Sequence, residues 1–496
     1  MSTNFVVFPV LIPFITAITL LLFYKRINVQ KIISSFSALL GIGYSFFMLH
    51  QVVTNGVQVY WASNWPPPFG ITMAIDVFSA VMLVLSNVVA GACLWFSFKT
   101  IDKGREKNFY YMIFQMLLMG INGSFITGDL FNLYVFFEIM LMASYILIVL
   151  GSEKGQLRES FKYVLLNILS SALFIIGLGM VYGMVGTLNM ADIAQKMAQV
   201  ENQGLVTLTS MVFLVVFGIK GAIFPLYFWL PQSYYEPPAA ISALFSGLLT
   251  KVGVYALIRI FTLIFINDTG YTHTIILILG TATMLFGVLG AICQVNFKRI
   301  LSYHIISQVG YMIIGLGLYS LFSIAGAIYY IAHHIIVKSA LFLISGVTEK
   351  ITGTGELKKM GGMMAGYPLL AWTFLIAGLS LAGVPPLSGF FSKFALIADS
   401  VAQGNYWVAG IALLVGFLTL FSMIKIFLAV FWGESKPIPE QTGFNYKKLM
   451  PTCLVLVALS VIMGLLAPVM MDYANMAAEQ LMNPQIYIDA VMGFGK

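Results

Sequence analysis

Seven charged residues lie within long apolar stretches of this 496-residue sequence. One is acidic and six are basic: Glu138, Lys220, Lys251, Arg259, Lys338, Lys393 and Lys425. A charge deep in a bilayer is costly, so it is retained only when it is paired or faces a cavity, and it commonly marks an ion pathway. One carboxylate cannot neutralise six bases. We therefore expect some of the lysines to be neutral part of the time, and a lysine that gains and loses a proton can carry protons.

Polar side chains recur at i, i+4 and i+8 beside two of these lysines, which places each trio on one helix face. The trios are Lys251, Tyr255 and Arg259, and Tyr330, His334 and Lys338. An imidazole next to a buried lysine predicts a proton relay. The weaker candidates are His333 on another face, Arg259 and Lys425 near span ends where they could snorkel to water, and a polar face with His304 and Gln308.

Prolines interrupt the apolar runs beside two of the lysines. Lys220 is followed by Pro225, and Lys393 is preceded by Pro385 and Pro386. Proline frees backbone groups that must find partners elsewhere, which a membrane protein tolerates only in buried or watered places. Lys220 and Lys251 are also separated by nearly the same interval as Lys393 and Lys425. Broken helices at corresponding points predict an internal repeat.

The composition places most of the chain in lipid. Hydrophobic residues make up 60%, charged residues only 9%, and the mean hydropathy is +0.93. A helix needs about twenty apolar residues to cross a bilayer. Windows of that length predict fourteen spans, near 4–24, 31–52, 73–97, 109–127, 131–150, 161–185, 205–229, 240–263, 273–294, 300–320, 323–346, 368–398, 405–432 and 450–470. Long continuous runs of this kind argue against a barrel of short alternating strands.

The loop charges predict the orientation. With the N-terminus outside, the inside loops contain nearly all the loop lysines and arginines, and only Lys196 and Lys496 lie outside. Positive charge concentrates on the cytoplasmic side, so both termini are predicted outside. Acidic residues of the outer segments, Asp76 among them, are expected to be solvated loop charges.

The predicted fold class is therefore an all-α polytopic membrane protein of about fourteen helices, with two inverted five-helix repeats containing broken helices. A repeat with an odd number of crossings must be inverted in its second copy. The predicted segments are a three-helix segment (1–105), a first repeat (106–265), an inverted second repeat (266–432), and a final helix with its tail (433–496).

Several function classes are disfavoured. The net charge of +7 includes no basic run with interleaved aromatics, so no nucleic-acid partner is expected. The cysteines Cys93, Cys293 and Cys453 are too far apart in sequence to suggest a disulfide framework or a metal site. Neither a nucleotide-binding loop nor a redox motif is recognisable. We expect a chain that is not an enzyme by itself and that needs no cofactor.

Four motifs resemble the antiporter-like subunits of respiratory complex I and of multi-subunit Mrp sodium/proton antiporters, over nearly the whole chain. They are GDLFNLYVFFEIM, FGIKGAIFPLYFWLPQSYYEPPAAISALFSGLLTKVGVY, SYHIISQVGYM and GVPPLSGFFSK. The resemblance implies that Glu138 and Lys220 form a coupled pair. It also implies that a hydrophilic axis continues through Lys251, His334 with Lys338, and Lys393. The length, and lysine rather than glutamate at 393, favour the Mrp branch.

The resemblance implies a proton-translocating subunit of a cation/proton antiporter in a bacterial cytoplasmic membrane. Its expected partners are the lipid bilayer, a large A-type subunit and small B-, C-, E-, F- and G-type subunits. We expect this chain to carry H⁺ and its partners to carry most of the Na⁺, because lysines repel a hard cation. The alternatives are a proton-pumping subunit of complex I or of a membrane hydrogenase, and a structural subunit with inert charges. Which cation is exchanged stays open.

Overall fold

A computed structural model describes residues 4–437 and 445–493 of the chain. Its principal helices are α1 (Phe8–Leu22), α2 (Ile27–Asn55), α3 (Val77–Thr100), α4 (Tyr110–Ile126), α5 (Leu130–Val149), α6 (Lys154–Val185), α7 (Gln203–Gly221), α8 (Ala239–Leu263), α9 (Thr269–Ile292), α10 (Phe297–Leu318), α11 (Leu321–Thr352), α12 (Pro368–Ala382), α13 (Ser388–Ala402), α14 (Tyr406–Val430), α15 (Met450–Leu465), α16 (Ala467–Met482) and α17 (Pro484–Met492). Shorter helical turns cover Asn4–Val7, Ala62–Asn64, Lys103–Lys107, Met190–Met197, Leu230–Ser233, Leu357–Lys359, Met363–Gly366 and Tyr446–Lys448.

The prediction of a helical, multi-pass membrane protein is confirmed. Within the described residues, eleven helices are long and apolar enough to cross a membrane, and the bent pair α15 and α16 makes a twelfth if it is one span. The other two predicted spans correspond to shorter helices, α4 and the broken pair α12 and α13. The count of fourteen therefore stays a prediction.

The last predicted span, 450–470, extends five residues beyond the end of α15 at Leu465. The chain turns by 83° between α15 and α16. Pro468, in the first turn of α16, explains the bend, because proline has no N–H and clashes with the preceding turn of a continuous helix.

One element departs from the all-α prediction. Strands β1 (Gln58–Trp61) and β2 (Thr72–Ile75) form an antiparallel hairpin between α2 and α3, with Val59 opposite Ala74. The Trp61 indole donates to the Val491 carbonyl at 3.2 Å, which ties α17 to the hairpin.

Helices α8 and α11 form the centre of the molecule, since their apolar windows are completely buried, whereas α1, α2, α6 and α14 expose most of theirs. The 32-residue α11 packs against α3, α8, α10, α12, α13, α15 and α16. A polar side chain on α8 or α11 therefore faces protein rather than lipid.

Two predicted spans are broken inside the fold. The span predicted at 205–229 ends as a helix at Gly221, and the span predicted at 368–398 is divided between α12 and α13. Each break begins with a left-handed residue, Ala222 (φ 58°) and Gly383 (φ 92°). The next amide donates back into the helix in both, from Ile223 to the Gly218 carbonyl and from Val384 to the Leu379 carbonyl. These bonds pair carbonyls that a helix end leaves open.

Candidate functional site

The centre of α11 has buried bases with no hydrogen-bond partner. Lys338 Nζ and both ring nitrogens of His334 are enclosed and unpaired among the described residues. The Tyr330 ring lies one turn away from His334, with ring centroids 6.4 Å apart. The predicted face of Tyr330, His334 and Lys338 is thus buried at the centre of the fold. Buried polar groups normally have partners, so three unpaired nitrogens form an unusual site.

Lys251 lies on α8 beside that centre, directly after a π-helical turn at Phe245–Leu249. Its Nζ donates to the Ser246 carbonyl at 2.6 Å and to Thr250 Oγ1 at 3.1 Å. A π turn shifts the bonding pattern of a helix and frequently occurs at functional sites. Lys251 also lies within electrostatic range of His334 and Lys338.

The predicted pair of Glu138 and Lys220 is not closed in this structure. Glu138, half-buried on α5, accepts a hydrogen bond from Ser171 on α6. Lys220, buried near the end of α7, has no hydrogen-bond partner in the described chain, and its amine lies 5.4 Å from the centre of the Phe137 ring. The two charges still lie within electrostatic range. Sequence reasoning missed Ser171, because nothing local distinguishes it from other helix serines.

Lys393 binds the end of the broken helix. Its Nζ donates to the Leu381 and Ala382 carbonyls, each at 3.0 Å, and lies 4.8 Å from the centre of the Tyr311 ring. These are the last carbonyls of α12, which carry the negative end of the helix dipole. The break therefore supplies the ammonium with partial negative charge without a carboxylate.

The two breaks match when residues are compared at a fixed offset of 161, since 222 + 161 is 383 and 225 + 161 is 386. At that offset Lys220 precedes the first break, whereas Lys393 follows the second. The similar intervals from Lys220 to Lys251 and from Lys393 to Lys425 therefore do not place Lys220 and Lys393 at equivalent positions. Lys393 instead reaches back to Leu381, the residue that corresponds to Lys220.

The polar face of α10 packs against α11 and α14. His304 Nε2 is 2.9 Å from Ser422 Oγ, and Gln308 Nε2 donates to Thr419 Oγ1 at 3.4 Å. Gln308 also accepts a hydrogen bond from Tyr330. Lys338 and Lys393 both lie within electrostatic range of His304. The structure thus places His304 and Gln308 beside the face of α11 that carries Tyr330, His334 and Lys338.

Arg259 does not snorkel, and Asp76 is not a solvated loop charge. Asp76, 1% exposed at the start of α3, binds Arg259 through both carboxylate oxygens, at 2.5 and 2.8 Å. Tyr255 joins them by donating to the Phe125 carbonyl at 2.7 Å and by contacting Arg259 Nη2 at 3.1 Å. Both expectations failed because the partners are distant in sequence.

Lys425 is bound to the end of a neighbouring helix. Its Nζ donates to the Ile292 and Gln294 carbonyls at 2.9 and 2.7 Å, which caps α9. The contacts favour a structural role for this lysine.

Glu138 and Lys393, the first and last residues of the predicted axis, each line a groove. Glu138 lines a groove between α4 and α5 with Met112, Met116 and Met142. Lys393 lines another groove, with Phe390 and Phe417 among its walls. In the described residues, no cluster of histidine, cysteine, aspartate and glutamate could hold a metal ion.

These features have relatives among known proteins. A family profile described as "NADH:quinone oxidoreductase/Mrp antiporter, TM" matches residues 127–419. The chain is 55% identical to the D-type subunit of the Na(+)/H(+) antiporter of Alkalihalophilus pseudofirmus and 45% identical to that of Bacillus subtilis, each alignment covering 99% of both chains.

Two solved structures share the fold. A chain of the Mrp complex from Dietzia sp. superposes with a TM-score of 0.93 at 30% identity, covering 99% of this chain and 100% of the other. A chain of the archaeal membrane-bound sulfane sulfur reductase gives 0.91 at 26% identity with the same coverage. The chain therefore belongs to the family of transmembrane subunits shared by NADH:quinone oxidoreductases and Mrp antiporters.

Proposed function

We propose that this chain is the proton-translocating subunit of a multi-subunit Na⁺/H⁺ antiporter in a bacterial cytoplasmic membrane. The names of its relatives in A. pseudofirmus and B. subtilis support the antiporter assignment. Membership of the Dietzia chain in an Mrp complex supports an assembly with other membrane subunits. The partners that we propose are a large A-type subunit and small B-, C-, E-, F- and G-type subunits. The chain acts as a transporter subunit rather than as an enzyme.

The observation that carries this proposal is the contrast between bases that have partners and buried bases that have none. Arg259 is buried and paired with Asp76, and the partly buried Lys425 donates to two carbonyls at the end of α9, as expected for structural charges. Lys220, Lys338 and His334 have none among the described residues, although all three are buried. Unsatisfied buried charge is selected against unless it serves a function. Groups that exchange protons must be able to exist in the neutral state. Lys220, Lys338 and His334 meet this condition, because they are buried and no hydrogen-bond partner in the described residues holds them in the charged state.

The proposed mechanism starts at Glu138. When Glu138 approaches Lys220, the carboxylate stabilises the ammonium. When the pair is open, as in this structure, the buried ammonium releases its proton more readily. The proton then moves along Lys251, His334 and Lys338, and Lys393 passes it to the opposite side of the membrane.

A column of hydroxyls supports an access path from the predicted inside to Lys251. Ser242, Ser246 and Thr250 follow one another at i, i+4 and i+8 on α8, and all are buried. At the predicted inner end of this column, Ser242 and Lys298 both donate to the Pro237 carbonyl, at 3.0 and 2.8 Å. We propose that Lys298 closes this path in the structure described.

The matching breaks support the two predicted repeats, 106–265 and 266–432. Their repeated capping pattern supports equivalent folding of α7 with its loop and of α12 with its loop.

The charge distribution supports placing both termini outside, although Lys496 lies outside the described residues. Labelling of single cysteines introduced at Lys154 and Asn202, on opposite predicted sides, tests the orientation with a membrane-impermeant reagent.

The second candidate is a subunit of a redox-driven proton pump. The archaeal respiratory complex that shares this fold is the observation in its favour. The two functions differ in their driving force. Vesicles that contain the whole complex and no redox substrate should acidify or alkalinise on a Na⁺ gradient only if the antiporter assignment is correct.

The decisive experiment compares matched lysine variants in such vesicles, with a pH-sensitive dye inside. Lys338→Met removes an unpaired amine and should lower Na⁺-driven proton transport by at least tenfold, within the range of a lost acid–base group. Lys425→Met removes a capping amine and should retain transport once assembly is normalised. Equal transport in wild type and Lys338→Met would refute the proton pathway and favour a structural subunit.

A further inference from the structure

A ring of three serine hydroxyls lies against His333 at the break between α12 and α13. Ser380 on α12, Ser388 at the start of α13 and Ser460 on α15 have Oγ atoms 2.8 to 3.3 Å from one another. Ser388 Oγ is also 2.8 Å from His333 Nδ1. All four residues are buried. Within the described part of the chain, the three hydroxyls have no other hydrogen-bond partner.

The number of hydrogens available to this ring favours one tautomer of the imidazole. The three contacts between serines and the one contact with His333 require four donated hydrogens. The hydroxyls supply three, because each serine carries one O–H. All four contacts can therefore be hydrogen bonds at the same time only if His333 Nδ1 carries the fourth hydrogen, including the longest contact, 3.3 Å between Ser380 and Ser388. If the hydrogen were on Nε2 instead, Ser388 would have to donate to the ring nitrogen, and one contact between serines would have no hydrogen.

In the neutral imidazole with a hydrogen on Nδ1, the other nitrogen of His333 is a bare acceptor. Nε2 is buried and has no partner among the described residues. A Cβ added at Gly389 would lie 3.0 Å from it, so glycine at this position leaves the space beside Nε2 open. Lys393 lies one turn further along α13 and within electrostatic range of His333.

We propose that the serine ring holds His333 as the Nδ1–H tautomer, so that Nε2 can accept a proton from the central bases and pass it to Lys393. The proton transfer through Nε2 rests on the proposed function, whereas the tautomer does not. In the first transfer, an N–H bond of the His334–Lys338 group breaks and the Nε2–H bond forms, giving an imidazolium. In the second, Nε2–H breaks and the neutral Lys393 amine gains the proton. Ser380, Ser388 and Ser460 act as positioning residues.

Among the described residues, the serine ring at the break between α12 and α13 has no counterpart at the break that follows α7. At the offset that matches the two breaks, Ile219 and Tyr227 occupy the positions of Ser380 and Ser388. Ser460 comes from α15, outside both predicted repeats. The titratable groups that face His333 are Tyr330 and His334 on its own helix and Lys393 on α13, while α12 and α15 contribute hydroxyls.

The tautomer can be measured directly, without any transport assay. The complete complex, with ring-¹⁵N histidine in this chain, is reconstituted in bilayers and examined by solid-state NMR, where protonated and bare ring nitrogens have separate shifts. His333 is assigned by the signals lost in His333→Asn. We expect the Nδ1–H form in wild type. Ser460→Ala opens the ring and keeps the contact with Ser388, so it should shift the tautomer ratio towards Nε2–H by up to about tenfold.

The control for this measurement is Ser345→Ala, which removes a serine of α11 that bonds only within its own helix. It should leave the tautomer ratio unchanged. An Nε2–H tautomer in wild type would overturn the proposal, and so would the same ratio in Ser460→Ala and Ser345→Ala.

Transport tests the second part. His333→Asn can still donate to Ser388 but has no Nε2, so Na⁺-driven proton transport should fall at least tenfold in assembled complexes. Ser388→Thr keeps the hydroxyl and should transport better than Ser388→Ala. Wild-type transport in His333→Asn would overturn the role of Nε2. Failure of the proposed function is distinguishable, because it would also leave Lys338→Met active while the NMR result stands.

Discussion

Asp76→Asn separates the structural role of Arg259 from a role in proton transfer. Asparagine has nearly the shape of aspartate and caps helices equally well, so the bond to the Ser79 amide at 2.8 Å can persist. The charge is lost, and the oxygen that accepts from Arg259 Nη1 is replaced by an NH₂ donor. Arg259 then stays buried, 5% exposed, without its carboxylate. Breaking a buried ion pair by removing one partner costs about 3–5 kcal/mol. We take the lower end, ~3 kcal/mol, because Tyr255 and the aromatic rings of Phe78 and Tyr487 still contact the guanidinium.

The assay is a double-mutant cycle in denaturant unfolding of the purified complex, followed by a probe in α8. Asp76→Asn and Arg259→Met should each destabilise the protein, and the double variant should recover most of the loss. A coupling of at least ~2 kcal/mol is expected for contacting groups of this kind. Proton transport should recover with stability.

Two results would refute this reasoning. A coupling near zero would mean that the ion pair does not stabilise the fold. A stable double variant without transport would mean that Arg259 belongs to the proton pathway, as its place on the α8 face first suggested.

Two further predictions concern packing and capping. A Cβ at Gly253 would lie 2.7 Å from the Gly221 amide nitrogen, so Gly253→Ala should separate α7 from α8 and destabilise the protein by about 1–3 kcal/mol. The control is Gly270→Ala, because a Cβ at Gly270 would have nothing within 4 Å. Equal thermal stability of the two variants would contradict the prediction. Burial raises the pKa of Asp129, which caps α5, to about 6. Its charge therefore disfavours the folded state above that pH, so Asp129→Asn should raise the melting temperature at pH 8 and lose this advantage as the pH falls through 6.

The proton-pathway candidates could be predicted because each rests on a local property of the sequence. Helical spacing places Tyr330, His334 and Lys338 on one face whatever the neighbours are. The cost of charge in lipid identifies Lys220 and Lys393 without knowledge of any partner. Apolar run lengths and loop lysines indicate a multi-pass helical protein for the same reason, and this prediction is confirmed.

What the sequence alone determined, then, is the membrane class, the family resemblance and the positions of the buried bases along each helix. Only the tertiary structure decided which bases have partners. Arg259 is neutralised by Asp76 and Lys425 caps α9, while Lys338 has no partner in the described chain. Partnership depends on atoms that folding brings within about 3 Å from distant segments. The serine ring on His333 is the clearest case, since it forms only when α11, the α12–α13 break and α15 pack together.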